Sequence, residues 1–196
     1  MSDLDSNCLM FCDPTDTTRD RLLDTAARLF AEHGYQATTM RTITAEAGAN
    51  IAAVNYHFGC KQSLLEAVVH RALAPVVEER RRRLHALGDS PPVEEIVEAI
   101  VGPLFECAEA APLLGRLFVD PDPEMRCLVS AELSEAACER MAVLQRALPD
   151  VPRDELWLRL RAMYTVVGGH LAGTLGPCER AQLITFLAAG LRAPAT

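Results

Sequence analysis

From Thr38 to Phe58 the chain reads TTMRTITAEAGANIAAVNYHF. Met40, Ile43 and Ala47 fall on one face of a short helix whose N-cap is Thr39. Gly48 follows where a left-handed residue ends a helix. Asn50 then caps a second helix, roughly Ile51–His57, and Val54 and Phe58, four apart, anchor it. Helices this short are marginal in water and stand only when packed on something larger. Two of them joined by a glycine-containing turn form the signature of a helix-turn-helix. The rest of the chain must supply the supporting helices.

The remaining apolar pattern does so. Leu22, Leu23, Ala26, Ala27, Leu29 and Phe30 stripe a helix from Thr17 to about His33, with Thr17 and Asp20 as a capping box and Gly34 as the stop. Cys60-Lys61 opens a fourth helix through Leu64, Leu65, Val68 and Ala72, continuing with a kink past Pro75 to Leu87. After a loop at 88–92, a helix runs through Val93, Ile96, Val97, Ile100 and Val101 and bends at Pro103. Pro112 opens a short segment to Phe118. Asp120-Pro121-Asp122-Pro123 breaks the chain, with Asp122 as N-cap and Pro123 in the first turn of a long helix to about Ala147. A helix from Asp154 to about Leu175 stops at Gly176-Pro177, and a last one spans about Cys178 to Leu191. Strand-like alternation is hard to find, so the expected class is all-α. Residues 1–16 lack periodicity and hold four Asp and no Lys or Arg, which predicts a disordered acidic tail.

The formal net charge is -8, from 19 Lys+Arg and 27 Asp+Glu, and on its face this argues against nucleic acid. Its distribution weakens the objection. Residues 17–71 hold six Lys+Arg and five Asp+Glu, so the helix-turn-helix region is near neutral while the acid lies on either side. Its phosphate contacts must come largely from hydroxyl, amide and ring groups. The run Arg80–Arg83, preceded by Glu78-Glu79, reads as a solvated helix end.

Within the motif, Asn50, Ala52, Ala53, Asn55, Tyr56 and His57 are left to face DNA. Asn pairs bidentately with adenine, and Ala permits close approach and touches a thymine methyl. Tyr and His suit phosphate oxygens. Lys61, the only Lys, lies just beyond, Thr39 offers a hydroxyl at a helix N-terminus, and Arg41 on the first helix joins the set.

Other chemistry is poorly represented. Seven cysteines at irregular spacing form no CxxC pair or disulfide framework. No nucleotide loop, HExxH or GxSxG motif stands out, and Glu66 with His70 has no second such pair for a di-metal bundle. No enzyme, cofactor or metal is therefore expected. A helical enzyme or an interaction scaffold without DNA binding is the alternative. No apolar run approaches the ~18 residues of a membrane span and no signal peptide is visible, so the expected location is cytoplasmic.

The stretch Thr17–Ala67 resembles the DNA-binding domain of TetR/AcrR-type transcriptional regulators. The matching residues are Ala27-x-x-Phe30, Gly34-Tyr35, Thr38-Thr39-Met40-Arg41-x-Ile43, Ala47-Gly48, Tyr56-His57-Phe58 and Lys61-x-x-Leu64. The resemblance implies a homodimer, a palindromic operator of double-stranded DNA, usually repression, and a C-terminal domain for a small-molecule effector. It places Thr39, Tyr56, His57 and Lys61 at phosphate-contacting positions and residues 50–55 at base-facing ones. Two departures are Asn55, where an aromatic is common, and Cys60, where Ser is usual. The implied division is a tail over 1–16, a three-helix helix-turn-helix DNA-binding domain over 17–76 (motif 39–58), and a larger helical ligand-binding and dimerisation domain over 77–196.

Downstream, Ala74-Pro75-x-x-Glu78-Glu79-Arg80, Pro103-Leu104 and Gly115-Arg116-Leu117 loosely resemble the fatty-acid and acyl-CoA-linked regulators of that family, which implies an apolar or acyl-type effector. The candidate ligand-binding residues are Phe105, Leu117, Phe118, Trp157, Met163, Val167 and His170. Gly168-Gly169 inside a helix implies close packing or room for a ligand. The last two helices, with Ala181, Leu183, Phe186, Leu187 and Gly190, are expected to build a four-helix dimer interface. Cys60, beside Lys61 near a helix N-terminus, has the setting of an oxidisable thiol.

Overall fold

A computed structural model describes residues 14–108, 110–119 and 137–194. Every regular element among them is a helix: α1 (Pro14–His33), α2 (Met40–Glu46), α3 (Ile51–Phe58), α4 (Lys61–Ala86), α5 (Val93–Glu106), α6 (Ala111–Val119), α7 (Ala137–Ala147), α8 (Arg153–Leu171) and α9 (Arg180–Arg192). The all-α expectation holds. The tail expected over 1–16 is corrected at its end, where residues 14–16 are the first of α1; residues 1–13, the break and cap at 120–123 and the start of the long helix that ends at Ala147 lie outside the described residues.

Three helix ends differ from the sequence reading. α1 begins at Pro14, so Thr17 and Asp20 sit inside the helix and form no capping box. Proline suits a first turn, where its missing N–H costs nothing. α8 stops at Leu171 rather than Leu175, because Gly173 turns into the left-handed region at φ 72°. α9 begins at Arg180 rather than Cys178, because Glu179 and Gln182 form a reciprocal capping box there.

The first four helices share one apolar core. Leu22, Leu29 and Phe30 of α1 meet Ile43 of α2, Val54 of α3, and Leu64 and Leu65 of α4, all buried. Thr38 ties the α1–α2 turn down: its buried hydroxyl donates to the Gly34 carbonyl at 2.8 Å and to the Leu29 carbonyl at 3.2 Å. Gly34 itself has φ 82°.

α4 runs unbroken through Pro75 and past residue 76, so one helix belongs to both halves of the molecule. Leu73, Val76, Arg80 and Leu84 continue its buried stripe against α5. The expectation that Arg80–Arg83 is a solvated run therefore needs correction. Arg81 and Arg82 are exposed, but Arg83 is half-buried and Arg80 is 1% exposed, with its Nε donating to the Ile100 carbonyl at 2.7 Å. Arg80 stands four residues from both Val76 and Leu84, on the stripe that α5 covers.

Around this seam, α4, α5 and α9 are joined by ion pairs. Arg83 contacts Glu79 (2.7 Å) and Glu106 (2.5 Å), and Arg180 bridges Glu98 and Glu106. α6 crosses α8 at glycine contacts. A Cβ on Gly168 would collide with that of Phe118, and one on Gly115 would lie 2.6 Å from the Ala172 nitrogen. The Gly168 position thus serves close packing. α6 also packs on α1, which makes it a second bridge between the halves.

Candidate nucleic-acid interface

Local capping sets the geometry of the motif. Thr39 is the N-cap of α2, its hydroxyl accepting from the Thr42 N–H at 3.1 Å and facing the Thr42 hydroxyl at 2.8 Å. Ala47 ends α2, and Gly48 follows at φ 60°. Asn50 caps α3 by accepting from the Ala52 N–H at 2.7 Å through Oδ1. This leaves its NH₂ as the end available to a base. Gly59, at φ 73°, turns the chain into α4, where Cys60 Sγ accepts from the Ser63 N–H at 3.5 Å.

The two faces of α3 are unlike. Val54 and Phe58 are buried against the core. Asn50, Ile51, Ala52, Asn55 and Tyr56 are exposed, and Ala53 and His57 are half-buried beside them. Tyr56 is 81% exposed, the most open of the large hydrophobic side chains among the described residues. Its ring meets that of His57 edge-on at 5.1 Å. Such an aromatic on a rigid helix is a contact group held ready for a partner. Arg41 and Thr39 are exposed on α2. Lys61 lies at the start of α4 with its ammonium 4.1 Å from the centroid of the Tyr35 ring.

Thr39, Arg41, Asn50, Ala52, Ala53, Asn55, Tyr56, His57 and Lys61 lie on α2, on α3, at their caps and at the start of α4, three helices in contact in sequence order. The sequence reading passed over Thr42, whose hydroxyl pairs with that of Thr39, and Ile51, which is exposed beside Asn50. Spacing signals Thr42, one turn from Thr39, whereas Ile51 stands three residues before Val54 and seven before Phe58, on their register, so spacing alone would bury it.

Two of the six cations of residues 17–71 are held by carboxylates. Arg28 pairs with Glu32 (3.0 Å) and Glu46, and Arg71 with Asp24 (2.6 Å). The Cys60 thiol is lowered from its ordinary value, first by the Ser63 hydroxyl and then by the Ser63 amide.

The profile described as "Bacterial regulatory proteins, tetR family" matches residues 22–68, and "Tetracyclin repressor-like, C-terminal domain" matches residues 98–190. Together they cover more than half of the chain. The chain belongs to the TetR family of transcriptional regulators. It is 31% identical over 140 residues to the HTH-type transcriptional repressor KstR2 of Rhodococcus jostii, a match covering 67% of this chain and 66% of that repressor. It is 28% identical over 160 residues to the HTH-type transcriptional repressor AcnR of Corynebacterium diphtheriae, covering 79% of each. In fold it is similar to the fatty acid degradation regulator FadR of Bacillus halodurans, with a TM-score of 0.67, 17% identity, and coverage of 90% of this chain and 95% of that one. The family is one of regulators and not of enzymes, as the sequence reading expected.

In this TetR-family chain the expected effector residues fall on α5, α6 and α8. Leu117, Met163 and Val167 are buried in the core. Phe118 stacks on Tyr164 at 5.4 Å, and Phe105 meets His170 edge-on at 5.6 Å. Trp157 is half-buried on α8. Three surface clefts are described, and none of these seven residues lines them. Of the expected dimer residues, Leu183 and Leu187 are buried in the chain's own core, which leaves Ala181, Phe186 and Gly190 facing outward. Phe186 is 65% exposed, and Leu158 of α8 is 57% exposed. No helix among the described residues is long and apolar enough to cross a membrane.

Proposed function

We propose that this chain is a ligand-responsive repressor that binds a palindromic operator as a homodimer in the cytoplasm. The exposed Tyr56 on a helix braced by Val54 and Phe58 carries this reading. α3 enters the major groove, with the Asn50 amide, Ala52, Ala53 and Asn55 toward the bases. Thr39, Arg41, Tyr56, His57 and Lys61 meet the phosphates. Residues 17–76 read DNA and residues 77–196 bind the effector and the second protomer. The likeness to KstR2 and AcnR, both repressors, supports repression as the mode of action.

The second protomer docks on the outward face of α8 and α9. Leu158, Ala162 and Thr165 recur there at helical spacing on α8, and Phe186, Ala189 and Gly190 on α9, all exposed. Two large apolar side chains among small ones suit a four-helix interface. The dimer sets its two recognition helices about 34–36 Å apart, one turn of DNA. An apolar or acyl-type effector, a class supported by the fold likeness to FadR, prefers a state with a different spacing. A preference of roughly 5 kcal/mol switches occupancy almost completely. α4 and α6, each in contact with both halves, carry the change.

The experiment is selection of bound DNA from a random pool, followed by titration of the selected operator with a Tyr56→Ala plus Lys61→Ala variant. Each lost hydrogen bond to a charged phosphate is worth about 1.5–3 kcal/mol, so affinity falls by about 100-fold or more with the helical signal unchanged. A folded double variant that binds as tightly as the parent chain refutes the interface.

A further inference from the structure

The interior of the effector half holds two arginines. Arg80 of α4 and Arg140 of α7 are each 1% exposed. Their guanidinium carbons lie 5.7 and 5.9 Å from the centroid of the same ring, that of Tyr164 on α8. Arg80 gives its Nε proton to the Ile100 carbonyl, and its two terminal nitrogens have no hydrogen-bond partner. The Tyr164 hydroxyl, also buried, has none either. Burial, and to a smaller extent the neighbouring Arg80 charge, push the Arg140 guanidinium below its ordinary value.

Such an arrangement is costly. A buried cation is tolerated when an anion and a full set of hydrogen bonds compensate it. Here the fork of Arg80 is held by one backbone bond at Nε, and its terminal donors are buried without a partner among the described residues. A second positive charge and a phenol donor stand beside it. A planar guanidinium matches a carboxylate with two parallel hydrogen bonds. The surroundings are apolar: Phe118 stacks on Tyr164, and Met141 and Val167 are buried on the neighbouring helices. The site therefore suits a small acidic group on an apolar body.

We propose that Arg80 and Tyr164 bind the carboxylate of an apolar organic acid, and that this free acid is the effector of the chain. The proposal rests on the regulator reading above and narrows it. An acyl thioester has no carboxylate at that position, so acid and thioester are separated by their head chemistry. Arg80 lies on α4, whose first residue is Lys61 of the DNA interface. Pairing of the acid with Arg80 thus acts directly on the helix that carries the reading head.

The test uses calorimetric titration of the full chain with carboxylates of graded apolar size, namely butyrate, octanoate, decanoate, benzoate and phenylacetate. Decanol, decanoyl-CoA and inorganic phosphate are the controls. At least one carboxylate is expected to bind at least 10-fold more tightly than its alcohol and than phosphate. Arg80→Met is expected to weaken that acid at least 10-fold while moving decanol binding by less than threefold, and Arg80→Lys is expected to fall between them. The folded state of each variant is checked by its melting transition, and Tyr164→Phe provides a second, near-isosteric variant expected to weaken the acid alone. The proposal is overturned if no acid is preferred over decanol, if decanoyl-CoA or phosphate binds as tightly as the best acid, or if the acid binds Arg80→Met as it binds the parent. Operator selection on the same preparation separates the two levels. A chain that binds operator but prefers no acid loses this proposal alone. A chain that binds the acid through Arg80 but selects no DNA loses the regulator reading alone.

Discussion

The two halves of the molecule bury polar groups in opposite ways. In the reading head the buried polar side chains are hydroxyls with local partners: Thr38 donates to Gly34 and Leu29, and Thr44 to the Arg41 carbonyl at 3.0 Å. Its arginines stay at the surface, where Arg28 and Arg71 are held by carboxylates. In the effector half, Arg80 and Arg140 are in the core. The head is thus satisfied in itself and able to present a fixed face. In the other half the terminal nitrogens of Arg80 are buried without a hydrogen-bond partner among the described residues. Local satisfaction is placed in the helix-turn-helix half, and the unpartnered terminal donors of Arg80 in the other.

Breaking the head core tests the first side of that contrast. Phe30 is 1% exposed and packs against Tyr35 at 5.7 Å. Phe30→Ala should cost about 3–5 kcal/mol, read from urea unfolding. A loss below about 1 kcal/mol would mean that the head is loosely packed. Salt titration of operator binding sharpens the same side. With Arg28 and Arg71 occupied internally, few cations displace counterions, and the log–log slope for the dimer should be shallower than about -10. A steeper slope would show that the internal pairs open on DNA.

The effector side predicts a smaller change of unusual sign. Without ligand, Arg80→Met should leave stability within about 1 kcal/mol of the parent or raise it, because replacing a buried charge by an apolar side chain is often neutral or stabilising. A loss of about 3 kcal/mol or more would show the guanidinium already compensated. The smallest effect concerns the exposed pairs of the α4 seam. Arg82 first, and then Arg83, lower Glu79 to about 2. A depressed carboxylate stabilises the fold above its unfolded value near 4.5, and that contribution is lost as pH falls toward 2. The melting temperature should therefore fall slightly between these limits, and less so in Glu79→Gln. Equal pH dependence of the two proteins would remove Glu79 from the account.

The head was legible because its instructions are local. Thr39 and Asn50 cap the helices they precede, and Gly34 and Gly48 adopt the positive φ that their positions imply. Val54 and Phe58, read from spacing as anchors, are buried. Tertiary choices were harder to read. Among four consecutive arginines, only packing on α5 decides which one turns inward. The register Val76, Arg80, Leu84 carried that signal, but a charged run outweighed it. Leu183 and Leu187 were assigned to a partner for the same reason: periodicity identifies an apolar face without saying whose core receives it. Gly168 offered packing or space, and Phe118, 50 positions earlier in the chain, determined which.

The cap formed by Asn50 restricts how operator preference can change. The side chain that caps α3 is also exposed among the groups proposed to face the bases, so position 50 answers to two selections at once. Only Ser, Thr, Asp and Asn offer a strong side-chain cap to the following N–H groups. Asp would face a polyanion with a like charge. The working alphabet at this site is therefore three letters, Asn, Ser and Thr. New specificities should arise first at Ala52, Ala53 and Asn55, whose side chains take no part in the cap.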